Sequence, residues 1–141
     1  MKHFKFSRLF AVTLVAAGLV LALAGCKQPS FSVSDDLVGT WKSQYGDGYT
    51  ITDSTIKYDD GGYGYGFEAE IDDIDEPYIY YIINDKYFAI AYKDLADGAC
   101  KFANAYKANG KTYCDSLDEA KEEFTIENGY YSYFGEYVRK D

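Results

Sequence analysis

Apolar and polar residues alternate from Tyr63 to Asp72. Tyr63, Tyr65, Phe67, Ala69 and Ile71 fall on one face, with Gly64, Gly66, Glu68, Glu70 and Asp72 on the other. A period of two over ten residues predicts a half-buried β-strand. The same pattern places strands at 38–45 and 49–53 around a tight Gly46-Asp47-Gly48 turn, and at 55–58 before Asp59-Asp60-Gly61-Gly62. Residues 78–83 and 87–92 flank Asn84-Asp85-Lys86, and the first of these runs is apolar throughout, as in a strand covered on both faces. Residues 99–107 alternate again, with Cys100, Phe102 and Tyr106 opposite Lys101 and Lys107. A last strand is expected over 130–139. Ser116-Leu117-Asp118-Glu119 has the form of a helix capping box, and Leu117, Ala120 and Phe124 share one helical face. The prediction is an all-β domain with one short helix. Short, evenly spaced strands joined by hairpin turns favour an up-and-down barrel or a strongly curled sheet, and an antiparallel up-and-down β-barrel of about eight strands is the expectation.

Before this domain the pattern is different. Lys2, Lys5 and Arg8 precede an apolar run over 9–23, broken only by Thr13 and Gly18, that ends in Leu23-Ala24-Gly25-Cys26. About 15 apolar residues fall short of the roughly 20 that span a bilayer. The segment resembles the export signal and lipobox of bacterial lipoproteins. That resemblance implies removal of residues 1–25, acylation of the Cys26 thiol and a permanent tether to a cell-envelope membrane. Each buried acyl methylene contributes about 0.8 kcal/mol, so two or three chains hold firmly. Lys27 occupies the position where an aspartate would favour inner-membrane retention, which points to the outer membrane. Residues 26–36 read as a lipidated N-terminus and flexible stalk, and 37–141 as the folded domain.

The mature 116 residues carry 11 basic and 23 acidic side chains, a net charge of −12. Such a balance argues against nucleic acid, whose affinity comes from basic groups displacing counterions. It argues equally against a soluble part lying flat on anionic lipid. The only histidine, His3, falls in the export signal. The mature chain thus lacks the base of Ser-His-Asp and Cys-His mechanisms and the commonest catalytic zinc ligand, and the expectation is a protein that is not an enzyme. Nothing in the chain requires a cofactor. All 16 tyrosines lie in the mature region. Tyrosine suits half-buried β faces, since its ring is apolar and its hydroxyl reaches water. The aromatics are therefore either ordinary core and surface of a β protein, or the lining of a cavity or an adhesive face.

Leu37-Val38-Gly39-Thr40-Trp41-Lys42 resembles the Gly-x-Trp opening strand of lipocalins and fatty-acid-binding proteins, the calycin barrels. The resemblance implies that Gly39 lets the chain bend, that Trp41 plugs one barrel end, and that Arg139 from the last strand packs over its ring as a cation–π contact. The chain is also similar to small tyrosine-rich spirochaete lipoproteins with Gly-Thr-Trp and Tyr-Gly-x-x-Tyr-Thr-Ile segments. The fatty-acid carboxylate clamp, Arg-x-Tyr, stands reversed as Tyr137-Val138-Arg139. The leading functional expectation is a small apolar or aromatic ligand held inside the barrel. Tyr65, Phe67, Phe88, Ile90, Phe102 and Tyr133 are the candidate lining residues. The alternative is a surface protein whose exposed tyrosines contact a partner protein of unknown identity.

Cys100 and Cys114 are either a disulfide, as exported chains commonly form, or two small buried thiols. A two-residue hairpin centred on Asn109-Gly110 would leave them some 17 Å apart, too far to bridge. Asp72-Asp73-Ile74-Asp75-Glu76 lacks the spacing and glycine of an EF-hand and reads as a solvated turn before Pro77 rather than a metal site.

Overall fold

A computed structural model describes residues 31–140. The expected export signal, Cys26 and the first part of the expected stalk lie outside the described residues. Eight strands, β1 (Gly39–Ser43), β2 (Gly48–Ile51), β3 (Thr55–Asp59), β4 (Phe67–Asp75), β5 (Tyr78–Ile83), β6 (Lys86–Ala96), β7 (Ala99–Asn104) and β8 (Gly135–Arg139), pair in chain order. Every pairing is antiparallel, and β8 returns to β1 to close the barrel. The protein is an all-β, up-and-down barrel with one short helix, as the alternation predicts. Closure removes the exposed edges that an open sheet of this length would carry.

The two-residue period decides which side chains fill the barrel. Trp41, Tyr49, Ile51, Ile56, Ile71, Ile79, Tyr81, Ile90, Phe102 and Tyr137 point inward and are buried. On the outside, Tyr80, Ala89, Ala91 and Ala103 of β5–β7 form a second cluster with Cys114, Ala120, Phe124, Tyr130 and Tyr131. The three alanines leave room for the helix α1 (Leu117–Glu123) and its flanking segment to approach closely. This outer layer is why β5 is apolar along its whole length. Ser116 caps α1 by accepting from the Glu119 backbone N–H at 3.2 Å, and Lys121 reaches Asp73 of β4 at 2.5 Å.

Three local expectations are corrected, and one open alternative is decided. Residues 63–66 are loop rather than strand, because Gly62 and Gly64 adopt φ of +106° and +89°. The Asp60 carboxylate gathers the backbone N–H groups of Gly62, Tyr63 and Tyr65 in that loop. Asp72 to Asp75 continue β4, with a bulge between Ile71 and Asp73, instead of forming a turn. Residues 130–134 cross the outer face as irregular chain, and β8 starts only at Gly135. Cys100 and Cys114 are both free and buried. Cys100 belongs to the interior cluster and Cys114 to the outer one, so no bridge joins them.

Gly39, Trp41 and Arg139 meet at one end. The Arg139 guanidinium lies 5.1 Å from the Trp41 ring centroid, and Gly39 has φ of +148°. A β-carbon at residue 39 would sit 2.9 Å from Arg139 Nε. Gly39→Ala therefore combines a strained backbone with a collision, and is expected to cost about 1–3 kcal/mol. Thermal melting by circular dichroism should show a fall of roughly 5–10 °C, and an unchanged melting temperature would contradict the packing described.

Candidate functional site

The barrel's two ends differ in kind. At the Trp41 end the indole N–H donates to the Leu37 carbonyl at 2.9 Å, and Leu37 is fully buried over it. Arg139 donates to the carbonyls of Asp35 at 3.1 Å, Asp36 at 2.7 Å and Val38 at 2.5 Å. Phe31 and Val33, within the segment read as stalk, also pack against the interior cluster. This end is shut, and the chain enters the domain through it.

The opposite end is a mouth. Tyr58, Phe67, Tyr81 and Phe88 come from β3, β4, β5 and β6 in turn. Tyr58–Phe67 and Tyr81–Phe88 are direct cross-strand pairs. Their rings follow one another at 6.0, 4.8 and 5.7 Å between centroids, the last two contacts stacked within 7° and 16° of parallel. Cross-strand aromatic pairs of this kind stabilise a sheet face. They border a cavity of about 280 Å3, with Tyr65, Ala89, Asn104, Ala105 and Thr112 completing the wall.

The polar groups there are few and definite. Asn104 accepts from the Tyr49 hydroxyl at 3.1 Å through its oxygen. Asp47 accepts from Tyr137 at 2.8 Å, from Tyr58 at 3.4 Å and from Ser43, which ties β1, β3 and β8 together at the mouth. The Tyr81 ring is buried, and burial alone pushes its hydroxyl well above the ordinary tyrosine range. Tyr137 is raised as well, by burial first and then by its hydrogen bond to Asp47 and that group's charge. Tyr49 is raised mainly by burial, then by its tyrosine neighbours.

The candidate lining residues separate into three groups. Tyr65, Phe67 and Phe88 border the mouth cavity. Ile90 and Phe102 are instead packed deep in the filled interior, Ile90 in register with Ile79 of β5 and Phe102 edge-on to Trp41 at 5.8 Å. Tyr133 lies outside the barrel and is 78% exposed. Sequence reasoning missed Tyr58, Tyr81, Asn104 and Thr112. The available signal was the alternation itself, since Tyr81 shares the inward face of β5 with Ile79 and Tyr58 follows Ile56 on β3. The reversed Tyr137-Val138-Arg139 order also gains a meaning: Tyr137 serves the mouth and Arg139 the plug. Tyr45, Tyr63, Tyr65, Tyr106 and Tyr133, all 72–82% exposed, sit on chain segments at the mouth end.

Compared with known protein families, with curated proteins and with solved structures, the chain finds no match.

A phenol raised in the fold stabilises it below the unfolded value of about 10, and that contribution is lost as pH climbs through the folded value. In an alkaline titration followed by phenolate absorbance, Tyr49, Tyr81 and Tyr137 should therefore ionise only as near-ultraviolet circular dichroism collapses. Ionisation of these three with the fold intact would contradict their buried positions.

Proposed function

We propose that this protein is a membrane-tethered, non-catalytic binding module whose open barrel mouth takes a small apolar or aromatic ligand with one polar handle. The observation that carries the reading is the stacked run Tyr58–Phe67–Tyr81–Phe88 around a 280 Å3 cavity, opposite a plugged end. That volume lies at the lower edge of small-molecule sites, about 300–1,000 Å3, so the guest is one or two fused rings or a short chain. The filled interior limits binding to the mouth. The polar handle would meet the Asn104 amide, the Thr112 hydroxyl or the Tyr81 hydroxyl, which makes no hydrogen bond to another described residue.

Acylation of Cys26 supplies the tether in this reading. The chain enters at the plugged end, which would turn the mouth away from the lipid. A non-catalytic role is consistent with the thiols, because burial pushes Cys100 up to about 12 and Cys114 up to about 11, leaving little thiolate at neutral pH.

Mass spectrometry of the organic extract from the purified, denatured protein should reveal a small apolar compound. Ligand-observed NMR with a panel of one- and two-ring aromatic fragments should show binding that Phe88→Ala weakens roughly tenfold, with Phe88→Leu intermediate. No extractable compound and no bound fragment would overturn the proposal.

The five exposed tyrosines on mouth-end segments favour a second reading, contact with a protein partner. Protease treatment of intact cells distinguishes them. A surface-displayed protein is cleaved, whereas protection until the envelope is opened excludes a partner outside the cell.

A further inference from the structure

Beside the mouth, outside the barrel wall, the β1–β2 turn and the segment entering β8 enclose a groove of about 540 Å3. It is separate from the mouth cavity and roughly twice its volume, well within the range of small-molecule sites. Two of its walls are Tyr45 and Tyr133, 79% and 78% exposed, from elements about 90 residues apart in the chain. Lys42, Lys140, Asp47 and Glu136 complete the polar part of its lining, with the Gln44 amide beside Tyr45.

We propose that this groove binds a neutral oligosaccharide. Two lysines against two carboxylates leave the lining without net charge, which disfavours an anionic or a cationic guest. The charges are also largely engaged. Lys42 is held by Asp59 at 2.9 Å and by the Gly46 carbonyl at 3.3 Å, and Asp47 already accepts three hydroxyl groups. A simple apolar molecule would cover the Gln44 amide and the Lys140 ammonium, whose side chains make no hydrogen bond to another described residue, at a cost that binding must overcome. A sugar ring satisfies both parts of the groove. Its C–H face lies on a tyrosine ring, and its hydroxyl edge exchanges hydrogen bonds with amide, ammonium and carboxylate groups. Tyrosine is suited to such a platform because it offers a rigid amphipathic surface with little rotational freedom to lose. Asp47 and Tyr137 belong both to this groove and to the network at the mouth, so the groove has a fixed inner wall.

The test is saturation-transfer NMR and calorimetry on the purified protein, held in a detergent without a sugar headgroup. The probes are a panel of neutral di- and trisaccharides of glucose, galactose, mannose and N-acetylglucosamine, alongside uronic-acid and sialylated counterparts. Binding of one or more neutral members is expected. Tyr45→Ala and Tyr133→Ala should each weaken it tenfold or more, Tyr→Phe at either position should largely preserve it, and Tyr63→Ala and Tyr106→Ala, which alter exposed tyrosines outside the groove, should leave it unchanged. The proposal is overturned if no neutral saccharide binds, if the acidic counterparts bind better, or if binding is indifferent to Tyr45 and Tyr133. Because the mouth fragments are scored separately through Phe88, either site can fail alone.

Discussion

The contact between Arg139 and Trp41 holds the architecture to its polarity. An indole with a guanidinium 5.1 Å from its ring centroid fills the shut end, and the guanidinium simultaneously gathers carbonyls from the turn before β1. One side chain from the last strand thus fixes the first strand and the chain entering it. The geometry is demanding: Gly39 must lack a side chain, and Arg139 Nε is left buried without an acceptor. With Arg139 half-buried, its cation–π contact is worth about 1–2 kcal/mol, which offsets part of the cost of that missing hydrogen bond. With one end sealed, the barrel opens to solvent only at the other.

The mouth has a different logic. There the barrel is held by hydroxyl groups converging on Asp47 and by rings stacked across neighbouring strands. These interactions leave ring faces and a few polar atoms available, where a tightly filled aliphatic core would leave none. The filled interior and the open rim together make a shallow depression rather than a deep calyx. The outer groove by Tyr45 and Tyr133 shares the Asp47–Tyr137 wall, so cavity and groove adjoin one network.

Much of this was legible in the residue pattern. Alternation placed the strands, Ser116 and Glu119 placed the helix, and the Gly39-x-Trp41 opening pointed to a plug with Arg139 as its partner. The misreadings have physical causes. Gly62 and Gly64 break a ten-residue alternation that looks strand-like only if glycine counts as an ordinary polar residue. The acids at 72–75 remain in a strand because a bulge and Lys121 accommodate them. Ile90 and Phe102 share their inward face with mouth residues, but their depth along the barrel axis follows from strand stagger, which one strand's period does not encode. The choice between a disulfide and two buried thiols stayed open because residues 105–134 fold as an outer layer, which puts Cys114 outside the barrel and Cys100 inside it.

The chain's single tryptophan makes the sealed end directly observable. Acrylamide quenching of Trp41 fluorescence in the native protein should be weak, roughly tenfold below that of the unfolded chain, with emission shifted to the blue as expected for an indole wholly removed from water. Emission and quenching matching those of the unfolded chain would mean that the indole stands in solvent, and no plugged barrel of this form could then exist.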